Sequence, residues 1–80
     1  MVEIKNILEK QSASFDDLLY CFEQVKENGD VAVIKLDGER SKNQYTVFIS
    51  FPQDENKPMI RADSDDLKEA LLSVLNHYVN

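Results

Sequence analysis

The chain holds one thiol, Cys21, and one imidazole, His77. Nucleophilic catalysis would need the two brought together with an orienting group. Cys21 falls beside the apolar stripe of a helix, where a small buried hydrophobe fits. His77 sits on the flank of the last helix, three residues from the end of the sequence, where fraying works against accurate positioning. Packing is therefore expected for the first and surface exposure for the second.

The acid-rich run "ADSDDLKEA" invites comparison with a calcium loop. Counting from Asp63, the sixth position is Lys68 where the turn needs glycine, and the fifth is Leu67. Helix capping accounts for these carboxylates without a metal. There is no HExxH, no zinc-ligand spacing, no phosphate-binding glycine loop and no GxSxG. Two carboxylates doing acid–base work need a walled cleft to separate their pKa values, which a small two-layer domain seldom has. No enzymatic activity, cofactor or metal is expected.

The elements that would carry any site follow from periodicity. In "SFDDLLYCFEQVKENGD", Phe15, Leu18, Leu19, Phe22 and Val25 recur at helical spacing and form one stripe. Ser14 is a good N-cap, Asp16 and Asp17 suit the first turn, and Asn28-Gly29 is a stop. The preceding "VEIKNILEKQ" places Ile4, Ile7 and Leu8 on one side of a shorter helix. A single bent helix through both segments is the alternative. Then the period changes to two. "DVAVIKLDG" puts Ala32, Ile34 and Leu36 on one face and Val31, Val33 and Lys35 on the other. "DGERSKNQ" is a polar turn leading to a second strand from Gln44 to Phe51, and "MIRA" is short enough for an edge strand. The last segment is a helix with Leu67, Leu71, Val74, Leu75 and Tyr78 on its stripe and Asp63 or Ser64 as its cap.

These elements predict a single small α+β domain over residues 1–80. It is expected as a two-layer sandwich, a three-stranded antiparallel meander with two main helices on one face, in the order (α)αβββα. That order is shared with double-stranded-RNA-binding domains, which read phosphates with bases at the start of the last helix. Here that place reads "DSDDLKEA", with four acids and one lysine, so the likeness stops at element order.

Composition narrows the class further. With 42% hydrophobic and 30% charged residues and only two glycines and two prolines, the chain is neither disordered nor of low complexity. One cysteine rules out an internal disulfide framework. No apolar run is long enough to span a bilayer, and "MVEIKNILEKQ" lacks a signal-peptide apolar segment, so a cytoplasmic protein without membrane contact is expected. The net charge is −6, and such a chain repels polyanions, which makes nucleic acid an unlikely partner.

Recognition remains, and "NQYTVFISF" directs it. Tyr45, Val47, Ile49 and Phe51 share one face of the second strand, the natural core side. Phe48 stands with Thr46 and Ser50 on the other. Val31, Val33 and Lys35 join that outer face, and Met59 and Arg61 are favoured over Ile60 and Ala62 in the third strand, because a buried Arg61 would need a partner. The candidate binding residues there are Val33, Lys35, Thr46, Phe48, Met59 and Arg61, an apolar patch ringed by bases. Three occupants compete for it: the N-terminal segment with Ile4, Ile7 and Leu8, another protein or a second copy in a homodimer, or a stacked single-stranded base. A second candidate surface is acidic. Asp16, Glu23, Glu27, Asp65, Asp66 and Glu69 could steer a basic protein, as inhibitors of nucleic-acid-binding proteins do. The expected role is that of a small binding or regulatory domain acting through protein contacts, with single-stranded nucleic acid as the alternative.

Overall fold

The computed structural model describes residues 2–10 and 12–80. Helix α1 spans Val2–Leu8 and α2 spans Phe15–Glu27. They are separate helices, not one bent helix. Gln11, the end of the expected first segment, lies outside the described residues. At Ser14 the backbone leaves the helical region, and the Ser14 hydroxyl accepts the Asp17 amide at 3.1 Å while Asp17 accepts the Ser14 amide at 3.0 Å. This reciprocal capping satisfies two of the donors that every helix start leaves free. The Ser14 amide also holds the Asp17 carboxyl below the usual range. At the far end Gly29 takes φ +89, a left-handed conformation that glycine adopts without steric cost.

Three strands follow, β1 (Val31–Leu36), β2 (Tyr45–Ser50) and β3 (Ile60–Ser64), and then α3 (Leu67–Val79). The sheet has the order β1-β2-β3 with both pairs antiparallel. This is the expected α+β meander in the expected element order. β3 extends two residues further than "MIRA", through Asp63 and Ser64, so neither of these caps α3. Asp66 does, accepting the Glu69 amide at 3.1 Å.

The register sets one row as Val33–Phe48–Arg61 and its neighbour as Ile34–Val47–Ala62. Ile60 and Ala62 therefore belong to the helix side and Arg61 to the outer side, as favoured. Helix α3 lies across β2 and β3, whereas α2 meets only β1 among the strands. Val47, Ile49, Leu18, Val25, Leu71 and Leu75 are sealed between the layers. Helix α1 packs against α2 and α3 and touches none of the strands, with Ile4 wholly buried. The expectation that the N-terminal segment could cover the outer sheet face is thereby overturned for the described residues. Ile4 reaches a core that is already open between the two long helices, which removes more apolar surface from water than the half-polar outer face could.

The α2 stripe also needs correction. Leu18, Phe22 and Val25 are buried, but Phe15 and Leu19 are each 48% exposed, and Cys21 occupies the interior instead. Leu36, expected on the core side, is 66% exposed. The α2 exposures follow from its place at the margin of a narrow sheet, where it meets only β1 among the strands and cannot enclose every apolar residue on its broad stripe. Leu36 closes β1 beside the β1–β2 turn.

Candidate functional site

The outer sheet face is less open than its sequence suggests. Thr46, expected to be displayed there, is only 3% exposed. The β1–β2 loop folds back over it and brings Arg40, whose Nη1 donates to Thr46 Oγ1 at 3.2 Å and to Asp63 Oδ1 at 3.2 Å. Thr46 donates in turn to Asp63 Oδ1 at 2.5 Å, and Arg61 Nε donates to Asp63 Oδ2 at 3.0 Å. Lys35 and Arg40 both pair with Asp37, each at 3.4 Å. The bases expected to ring an apolar patch are thus tied to carboxylates. Arg61, Thr46 and Arg40 together draw the Asp63 carboxyl well below the ordinary carboxylate range. What stays accessible is a strip with half-buried Val33 and Phe48, with Val31 exposed at the start of β1 and Met59 just before β3, flanked by the paired but exposed Lys35 and Arg61.

A pH prediction follows from this network. Asp63 has a depressed native pKa, so its contribution to stability is present above the unfolded carboxylate value and is lost as pH falls through the native one. Asp63→Asn is expected to lower the melting temperature at pH 7. The gap to the wild type should narrow as pH drops below about 4, and salt should shrink it, because the paired side chains are partly solvated. Thermal melts across that range check this; a gap independent of pH would mean that charge is not the cause.

The potential nucleophile and base are not assembled. Cys21 is enclosed in the core, where burial pushes its thiol pKa up, the reverse of what activates a thiolate. His77 is exposed on α3. Among the described residues, no group of three or more His, Cys, Asp or Glu stands together as a metal would require.

The acidic set divides. Asp65 accepts the Asn43 amide at 2.6 Å and Asp66 caps α3, so both serve the backbone. Glu69 stays exposed at the start of α3. Glu27 shares Lys26 with Glu23. Asp16 and Glu23, however, stand along the rim of a groove of about 700 Å³ between α2 and β1. Its lining is mostly apolar, with Leu19, Phe22, Ala32 and Ile34; Asp30 adds a third carboxylate where β1 begins, and Lys26, paired with Glu23 at 3.0 Å, adds one base. Tyr78 holds that end in place. Its hydroxyl donates to Asp30 at 2.7 Å and accepts from Asn28 at 3.0 Å, while its ring lies 6.0 Å from that of Phe51 in a near-parallel stack.

Sequence reasoning missed the groove because each of its parts belonged to a different expected feature. Leu19 and Phe22 counted as core stripe, Ala32 and Ile34 as core strand, and Asp30 was given no role. One signal was present: Phe15, Leu18, Leu19, Cys21, Phe22 and Val25 make a wider apolar arc than one helix can bury against three short strands. The groove combines an apolar floor for a side chain or strand with three carboxylates against one lysine, a net negative balance that favours cations above it. No helix of the described residues is long and apolar enough to cross a membrane. Comparison with known proteins finds no matching family model, curated protein or solved structure.

Proposed function

We propose that the chain is a non-enzymatic cytoplasmic recognition module that binds a basic protein through the groove between α2 and β1. The observation that carries this reading is the coincidence, at one place, of an apolar cleft with Asp16, Glu23 and Asp30 on its rim, against one base, Lys26, which Glu23 already pairs. Exposed apolar surface of this kind on a small protein usually marks a contact. The acids add long-range attraction for a cationic partner and repulsion of anionic ones. The engagement of Lys35 and Arg61 with Asp37 and Asp63 favours this reading over nucleic-acid stacking on the outer face. Bases already paired to carboxylates release fewer counterions when phosphate approaches.

The test is retention of proteins from a lysate of the source cells on the wild-type chain and on two surface variants, Leu19→Asp and Glu23→Lys. A basic protein held by the wild type should elute with salt, and its recovery should fall about tenfold or more on each variant, as expected when an interface anchor is removed. Identical recoveries on all three would reject the groove as the binding surface.

A further inference from the structure

We infer that the groove receives its partner as an extended strand, which adds antiparallel to the free edge of β1 and carries Arg or Lys at alternate positions. This rests on the proposed reading of the groove and specifies how it is filled. The sheet has two edges, and they differ. β3 alternates Arg61 and Asp63 along five residues and follows Pro58 closely. Charges and proline are means by which proteins keep an edge from pairing. β1 is six residues long, has no proline or glycine and carries one charge, Lys35.

The β1 edge also faces the right way. The Asp37 amide donates to Gln44 O at 2.8 Å, which with the β1–β2 register makes Lys35–Thr46 and Val33–Phe48 the mutually hydrogen-bonded pairs. Ala32, Ile34 and Leu36 then turn their N–H and C=O groups away from β2, toward the open edge. Their side chains lie on the helix side, beside the groove. A strand paired antiparallel to them must place the side chains of its own bonded residues on that same side, over Leu19 and Phe22. Its intervening residues fall on the outer side, next to Val33.

Charge selects the occupant. A second copy pairing edge to edge would bring its own Asp16, Glu23 and Asp30 to the same seam with only Lys26 to offset them, on a chain of net charge −6. A foreign strand with Arg or Lys on the groove side meets one like charge, Lys26, which Glu23 and Glu27 already pair. The aliphatic stems of those residues cover the apolar floor, and their charged ends reach the rim. Apolar residues between them suit Val33. The partner is therefore an alternating basic–apolar segment, bound by strand addition.

The probe is a blocked octapeptide of alternating Arg and Val, titrated by calorimetry against the intact chain at low salt. Face and edge are coupled in a strand, so in this mode the Arg amides point at β1 and the Val amides point away. Methylating the Arg amides should weaken binding about tenfold or more, as loss of several main-chain hydrogen bonds implies; methylating the Val amides should leave it within about twofold, the ordinary variation of a non-contact change. A Glu–Val peptide should not bind. Undiminished binding after Arg-amide methylation would overturn strand addition while leaving the groove reading intact. Failure of the unmethylated peptide to bind would overturn both. A stable dimer of the chain alone that excludes the peptide would assign the edge to a second copy and overturn the inference.

Discussion

Ile49→Ala is expected to lower the unfolding free energy by about 2–5 kcal/mol, while Phe48→Ala, one residue away, should cost about 1–2 kcal/mol. The two side chains point to opposite faces of β2, the central strand. Ile49 is wholly buried between the sheet and the helices. Truncating it removes transfer free energy and leaves a cavity that its neighbours close only partly. Phe48 is half-buried between Val33 and Arg61 on the outer face, where solvent can fill the space it leaves. For a domain of this size total stability is roughly 4–12 kcal/mol, so the first change removes a large share of it. Urea titrations compare the two through their midpoints at constant slope. Equal losses would mean that the outer face is packed as tightly as the inner one.

The second large effect belongs to α1. Ile4→Ala should destabilise the whole domain by about 2–4 kcal/mol and expose the α1 amides to rapid hydrogen exchange. Seven residues are too few to hold a helix in water unaided, so α1 is helical because it is docked. Ile4 makes that docking, buried completely against α2 and α3, with the Tyr20 hydroxyl bonded to Glu3 at 2.5 Å as a surface tie. Cooperative loss of α1 and the core together would show the helix to be integral. A variant with unchanged global stability and only local exchange at α1 would show it to be a detachable arm.

Much of the architecture was legible in the residues. Local signals were strong wherever one residue type answers one physical need: Ser14 and Asp17 at a helix start, Gly29 at a left-handed stop, alternation in β1 and β2. The placing of Arg61 on the outer face was legible too, because burying its charge would have required a partner. The end of β3 was not. Asp63 and Ser64 look like a helix cap, and Asp63 continues the strand because Thr46, Arg40 and Arg61 are waiting for its carboxylate across the sheet. A contact between residues so far apart in the chain leaves no trace in local pattern.

The candidate site divides along the same line. Phe48 drew attention to the outer face, and the loop carrying Arg40 then covered part of it. Asp16 and Glu23 were candidates from charge alone, but nothing local linked them to Ala32, Ile34 and Asp30. By itself the sequence determined the elements, their order, the two faces of each strand and the acidic balance, since these depend on side-chain chemistry and on periods of two and 3.6 residues. The tertiary structure alone decided which apolar residues remain uncovered. That outcome depends on how far one helix can reach across three strands, and α2, held at the β1 margin, leaves Leu19 and the strand edge beside it open.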